Sequence, residues 1–450
     1  MQAHNNFPKV LVFSHNPFSD SQNNGKTLQS FFVDWPKEKI CQLFLTYDAY
    51  STKVCDKFFR ITDWEMLLNI IKRKSKVGRS FVGENYDKVP FDDVNKRKKN
   101  ILMNIGRFMG INRISLGLLF KDWIWKNACE NKSLQDWITE QKPNVLFFLS
   151  GGAVSSFNLA EKICQKYNLP MIMQTTDDYI SKKFSLDPFF HVYINRINKA
   201  YKNAVEYSSC IIAIGDKMAF EYKNKFGGNY IIAMNSVSIQ KENYIQKIKE
   251  NMDSPIRMIF AGNLGIGRWK ILKNLAKSIE LIDKIHGIRC ELKIYSLSCP
   301  NKKILKGLNN GIYSQFCGAL AQEELKKVQC NSNMLVHVEA FDHKNKYITR
   351  LSISTKIPEY MNSGKCILAI GPKEVASMSY LYDNNSAAVI FNKDVKSISN
   401  SLIDILSDTA KIELYRENSY KLVCKNHDIE KIKSMIYEEI TTAYNKSVID

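Results

Sequence analysis

Short apolar runs alternating with helix-periodic segments, first along residues 9–235 and then afresh from 256, constrain this 450-residue chain more than any other feature. Runs such as Val145-Leu-Phe-Phe-Leu149 have no polar residue at alternate positions, so both faces of the strand must be covered. Strands are expected over 9–14, 40–45, 145–149, 170–174 and 210–214, with helices over 27–33, 153–167, 192–207 and 217–226. A second series opens with a strand over 256–261. It continues with a helix over 271–285 and strands over 289–295, 334–337, 366–370 and 387–391. Strand–helix alternation makes a parallel sheet with right-handed crossovers. The expected fold class is α/β, with two Rossmann-like domains over 1–235 and 255–428 joined by a linker over 236–254. A closing helix over 429–450 is expected to cross back to the first domain.

Composition narrows the setting. A hydrophobic fraction of 45% supports full cores, and no uninterrupted apolar run is long enough for a membrane-spanning helix. The formal net charge of +19 suits phosphorylated ligands, nucleic acid or an acidic membrane surface and does not choose among them. The eleven cysteines are scattered, with no C-x-x-C pair and no zinc spacing, which points to a reduced, cytoplasmic chain without a metal site. Residues 1–9 are polar and lead straight into a strand, so no signal peptide is expected.

Residues 66–126 break the rhythm. They carry fourteen Lys/Arg against five Asp/Glu, with Lys96-Arg-Lys-Lys99, Arg107 and Arg113 interleaved among apolar residues such as Ile101, Phe108 and Leu119. A basic amphipathic insertion of this kind suits peripheral contact with the inner leaflet of a membrane. The alternative is a helical pair packed on the first domain with solvated lysines. No recognisable nucleic-acid module is present, so no nucleic-acid partner is expected.

Two nucleotide motifs fail on inspection. Asn23-Asn-Gly-Lys-Thr27 follows a strand, but a phosphate-binding P-loop needs glycine where Asp20 stands. Gly262-Asn-Leu-Gly-Ile-Gly267 does not match the dinucleotide fingerprint G-x-G-x-x-G.

The stretch Ser352-Ile-Ser-Thr-Lys-Ile-Pro-Glu-Tyr-Met-Asn-Ser-Gly-Lys-Cys-Ile-Leu-Ala-Ile-Gly371 carries the functional signal. Ser354, Thr355 and Lys356 stand at a helix entry, Pro358 is tolerated in the first turn, and Gly364 stops the helix before a buried strand. Hydroxyls, a cation and unpaired N–H groups make a phosphate seat. Glu359, one turn in, can accept hydrogen bonds from a pair of ribose hydroxyls. The loop over 262–268 adds close backbone approach at Gly262 and Asn263 and a cation, Arg268, suited to a bidentate grip on a diphosphate.

Phe260-Ala-Gly-Asn-Leu-Gly-Ile-Gly-Arg268, His337-Val-Glu-Ala-Phe341 and the 354–369 segment resemble the donor domain of GT-B glycosyltransferases, in particular family-4-like transferases of bacterial surface-polysaccharide assembly. The resemblance covers the C-terminal half well and the N-terminal half in layout. It implies two domains facing across a cleft and transfer of a sugar, with retention and without a metal. The donor would be a nucleotide-diphosphate-sugar and the acceptor a glycan or lipid-linked saccharide. It also implies roles: Arg268, Lys356 and Thr355 for the leaving diphosphate, Glu359 for the ribose, and Gly25 for close approach of the donor sugar. Asp177 and Asp178, ending a strand in the acceptor-side domain, would orient the acceptor or assist its proton transfer, and His15 would bind acceptor or sugar. The family has two glutamates separated by seven residues; Glu359 matches the second, the first position is Leu351, and Glu339 is the substitute carboxylate. Alternatives are a sugar-nucleotide epimerase of the same plan and a non-catalytic sugar-nucleotide- or glycan-binding subunit of a transferase complex.

Overall fold

The computed structural model describes residues 7–19, 23–48, 50–72, 77–83, 114–181, 188–239 and 255–449. The chain divides into two compact units, Met1–Ile232 with Lys431–Asp450, and Ala233–Glu430.

The first unit is built on β1 (Val10–Ser14), β2 (Ile40–Phe44), β3 (Lys57–Arg60), β4 (Arg79–Val82), β5 (Val145–Leu149), β6 (Met171–Thr175), β7 (Ser208–Ala213) and β8 (Tyr230–Ile232). They lie in the order β4-β3-β2-β1-β5-β6-β7-β8. Pairing is parallel except for β4, which runs antiparallel to β3 at the edge. β1 and β5 are buried along their whole length, as their unbroken apolar sequences require. On one face Phe13 stacks on Phe148 at 5.2 Å, and Phe157 of the helix Val154–Tyr167 meets Phe148 edge-on. Phe147 meets Phe31 and Phe32 at and just beyond the end of the helix Asn23–Phe31. The closing helix Ile429–Ile449 returns to this unit, where Tyr437 packs on Phe7 and Trp35 at 4.9 and 5.6 Å.

The second unit contains β9 (Ile256–Ala261), β10 (Cys290–Tyr295), β11 (Ser314–Gly318), β12 (Met334–Val338), β13 (Cys366–Ile370) and β14 (Ala388–Ile390). Their order is β11-β10-β9-β12-β13-β14, all parallel. Chain direction across the sheet reverses between β9 and β12, leaving a crevice-forming switch point at their C-terminal ends. The helix Arg268–His286 covers this sheet with one stripe, Ile271, Leu272, Leu275, Ile279 and Ile282, all buried. Each such side chain contributes about 1.5–3 kcal/mol, so Leu275→Asp would undock the helix.

The chain passes twice between the units, and the two passages are tied together within the second one. Val237 N–H donates to His427 O at 2.8 Å, and Ile429 N–H donates to Val237 O at 3.1 Å. His427 Nδ1 is 2.8 Å from Asn235 O, which can only accept, so Nδ1 carries the proton. Its Nε2 then accepts from Tyr380 Oη at 2.9 Å. Residues 233–239 group with the second unit rather than the first.

Of the insertion over 66–126, the described parts are the end of the helix Asp63–Lys72, β4 and the helix Ile114–Ile124. Residues 84–113, which include Lys96–Lys99, Arg107 and Arg113, lie outside the described residues, as do 240–254 of the expected linker.

Candidate functional site

The site in the second unit starts from the turn after β9. Asn263 Oδ1 accepts the Gly265 N–H at 2.7 Å, and the chain then turns through Ile266 and Gly267 at φ 48° and 77°. A Cβ on Gly267 would stand 2.9 Å from Asp342 Oδ2 and 3.0 Å from Ala340 Cβ, so glycine is needed for both backbone and space. This lets the turn close against the loop that follows β12 and sets Arg268 at the head of its helix. Its Nη2 donates to Glu339 Oε1 at 2.8 Å and its Nε to Oε2 at 3.3 Å. Glu339, 2% exposed, follows β12, and its N–H donates to Ile370 O at 2.9 Å. The fork therefore bridges β9 and β12 across the switch point.

Beside it lies His337. Its Nε2 is 3.6 Å from Glu339 Oε1 and 3.2 Å from Ser377 Oγ. Burial lowers its pKa to about 4, against the opposing pull of Glu339, and the Arg268 charge adds to the lowering. The imidazole is therefore neutral near pH 7, and the contact with Glu339 is not an ion pair.

The second element is the short helix Lys356–Asn362, with Thr355 at its N-cap and no side-chain cap bond. Tyr360 Oη donates to Ala261 O at 3.2 Å and accepts from Ala261 N at 3.1 Å. These two bonds pin the helix to the end of β9, one residue before the Arg268 turn. Ser354 Oγ accepts the Lys356 N–H at 3.4 Å, and Lys356 Nζ donates to Glu359 Oε2 at 2.8 Å. The arginine-tipped turn and the short helix thus share one edge of one sheet.

Three expectations change. Arg268 was read as a bidentate diphosphate ligand and Glu339 as a separate donor contact, yet each is the other's partner. A carboxylate this buried needs a counter-charge, and the guanidinium fork supplies it with matched geometry. Arg268 keeps Nη1 without a hydrogen bond among the described residues. Lys356 and Glu359 are likewise paired with each other, about a third exposed, where such a bridge contributes little and opens readily. Gly25 turns its Cα toward its own loop. A Cβ there would stand 2.5 Å from Pro17 O and 3.0 Å from Ser19 Cβ, so its missing side chain serves the chain's own loop.

In the first unit the expected residues follow different strand ends. His15 comes directly after β1, exposed, with its carbonyl accepting from Leu45 N–H. Asp177 is half-buried and its Oδ2 accepts from Tyr179 Oη at 3.0 Å. Asp178 is buried, and its Oδ1 accepts from Tyr222 Oη at 2.9 Å and Ser181 N–H at 3.1 Å. That arrangement braces a loop and corrects the reading of Asp178 as a carboxylate presented to an acceptor. Sequence reasoning missed Ser377 and His337, although the period-two spacing of His337 and Glu339 was a signal for a shared face. It also missed Gln174, buried with neither amide atom hydrogen-bonded. Among the described residues no group of three His, Cys, Asp or Glu could hold a metal ion, and no helix is long and apolar enough to cross a membrane.

No protein-family model matches the chain, and no curated protein matches its sequence. Solved structures do match, over nearly the full length. Sucrose-phosphate synthase from Thermosynechococcus elongatus is 12% identical, covers 95% of this chain and 96% of its own, and has a TM-score of 0.57. HepE from Anabaena, in complex with UDP and glucose, is 11% identical over 96% and 98%, with a TM-score of 0.55. The alpha,alpha-trehalose 6-phosphate synthase from Burkholderia multivorans is 8% identical over 98% and 99%, with a TM-score of 0.58. The chain has the two-domain GT-B fold of these proteins.

Proposed function

We propose that this chain is a glycosyltransferase that moves a sugar from a nucleotide-diphosphate-sugar donor to a glycan or lipid-linked saccharide acceptor. In this reading it acts in the cytoplasm, with retention of anomeric configuration, in cell-surface polysaccharide biosynthesis. The observation that carries the reading is the shared edge of β9 and β12. There Arg268, paired with Glu339, and the helix bearing Lys356 and Glu359, pinned by Tyr360 to the last residue of β9, stand at the C-terminal end of one sheet. Open α/β sheets bind ligands at such a switch point. HepE, whose structures include complexes with UDP and with UDP-glucose, supports a uridine diphosphate donor.

Departure of a diphosphate develops negative charge, and prearranged cations lower that barrier. The Nη1 edge of Arg268 meets one phosphate. Lys356 exchanges its partly exposed bridge with Glu359 for a second, and Glu359 accepts the ribose hydroxyls. Ser354 and Thr355 add hydroxyl donors, and no bound metal is invoked. Asp177 and His15 remain the acceptor-side candidates. Peripheral membrane contact draws support from Phe120 and Trp123, about half exposed and stacked at 5.7 Å on the helix that follows the basic stretch.

Titrating the full chain with UDP, GDP, TDP and their glucose esters tests the donor reading. One base is expected to raise the melting temperature by mass action, and Arg268→Ala to remove the effect. No stabilisation by any of them would refute it. Donor turnover without acceptor would indicate the epimerase, and tight binding without turnover the non-catalytic subunit.

A further inference from the structure

The first unit has a switch point of its own. Its strand order reverses between β1 and β5, and the loops that follow β5 and β6 stand beside that point. The loop after β6 is fastened at every second residue. Asp178 is buried and accepts from Tyr222 Oη and the Ser181 N–H, and Ile180, 2% exposed, has its carbonyl bonded by Asn198 Nδ2 at 2.8 Å. Asp177 and Tyr179 alternate with these two and are the residues left toward solvent. Tyr179 is 37% exposed and Asp177 half-buried. Tyr179 Oη donates to Asp177 Oδ2 at 3.0 Å, and the Tyr179 N–H donates to Asp177 O at 3.1 Å. Asp178 and Ile180 already hold the loop, so this outer pair is not required as a brace. Its effect is to fix an aromatic ring and a carboxylate side by side.

The neighbouring loop supplies the floor. A Cβ on Gly152 would stand 3.0 Å from Tyr179 Cδ1, so the ring rests on backbone that only glycine leaves bare. A Cβ on Gly151 would meet nothing within 4 Å, so there is open space beside the ring. An aromatic surface with a carboxylate at its edge is complementary to a sugar. The apolar C–H face of a pyranose lies on the arene, and its rim hydroxyls donate to the carboxylate, which has about four lone-pair sites. A phosphate carries the same sign as Asp177 and is repelled. The loop is ordered before any ligand arrives, which lowers the entropy lost on binding.

We propose that Tyr179 and Asp177 form a saccharide subsite over Gly151 and Gly152: the ring stacks on a pyranose and the carboxylate accepts from its hydroxyls. The acceptor is then recognised by a neutral sugar ring and not by a phosphate or a lipid chain. This rests on the acceptor-side reading of Asp177 and names the class of ligand it takes.

The full chain, with and without UDP, is screened on a printed array of neutral and anionic saccharides, and the tightest neutral ligand is titrated by calorimetry against four variants. Tyr179→Ala removes the platform and Asp177→Ala the acceptor oxygens, and each is expected to weaken binding by about tenfold. Tyr179→Phe keeps the ring and loses only the bond to Asp177, so affinity should stay within about threefold. Gly151→Leu fills the space beside the ring and is expected to abolish binding without lowering the ligand-free melting temperature, which separates a blocked site from a damaged fold. Undiminished affinity in Tyr179→Ala or in Gly151→Leu overturns the subsite while leaving a saccharide acceptor in place elsewhere. Equal weakening by Tyr179→Phe and Tyr179→Ala overturns the stacking role. Selective binding of anionic saccharides overturns the proposal as well. No saccharide bound, with or without UDP, refutes the acceptor-side reading of Asp177 and the subsite with it.

Discussion

Arg268→Ala offers the most direct test of how the site is held. Removing the guanidinium leaves Glu339, 2% exposed, with no cation closer than whatever His337 can become. Breaking a buried pair from one side costs about 3–5 kcal/mol, and the 17% exposure of Arg268 places this case near 3 kcal/mol. For a unit of this size that corresponds to a fall in melting temperature of about 6–12 °C at pH 8. The pH dependence identifies the cause. In the native chain burial and the Arg268 charge lower the pKa of His337, while Glu339 raises it. Without Arg268 one of the two lowering influences is gone while burial, the larger, remains, so the imidazole takes up a proton at a higher pH than in the parent. The folded variant then binds more protons than the folded parent as the pH falls toward the His337 pKa of about 4, and its deficit shrinks between pH 8 and pH 5. Adding Glu339→Gln removes the stranded charge and is expected to recover at least half of the loss. Calorimetric melting of the three proteins at the two pH values decides the matter. A deficit under 2 °C at pH 8, or one that widens toward pH 5, would show that Glu339 carries no buried charge needing Arg268.

Other consequences are equally specific. Burial lowers His337 and His427 from 6.5 to about 4, so the unfolded chain binds protons below about pH 6.5 while the folded chain does not until about pH 4. Stability is complete above that window and is lost through it, by about 2 kcal/mol per histidine at pH 5; replacing either with Gln should flatten the acid slope in urea unfolding. Gly267→Ala meets both the φ of 77° and the 2.9 Å contact with Asp342, and should cost more than about 1 kcal/mol while disturbing Arg268; an unchanged melting temperature would count against the turn geometry described. Lys356→Ala breaks only a partly exposed bridge, so it should leave the melting temperature within about 2 °C yet weaken donor binding, a combination that calorimetry reads directly.

Much of the architecture was legible because strands buried on both faces announce themselves locally. The runs that became β1, β5, β9 and β13 were placed within a residue. β4 was not, because an edge strand of four residues, Arg79–Val82, is too short and too exposed to form an unbroken apolar run. Short helices such as Lys302–Leu308 and Gln322–Cys330 bury a single residue each and show no stripe to read. Gly25 was illegible for a related reason. A glycine in a loop announces a close approach, but only the fold shows that Pro17 O is the atom a side chain there would meet.

Periodicity and residue type by themselves determined that the chain forms two parallel sheets, and that Arg268, Lys356 and Glu359 stand at strand ends and helix starts. Those features depend on neighbours a few positions away. The tertiary structure alone decided how the charges are spent. Arg268 and Glu339, 71 residues apart, meet because β9 and β12 are adjacent across the point where the strand order reverses. A carboxylate sealed from water takes the nearest guanidinium, and which one is nearest is a property of the sheet and not of the sequence around either residue.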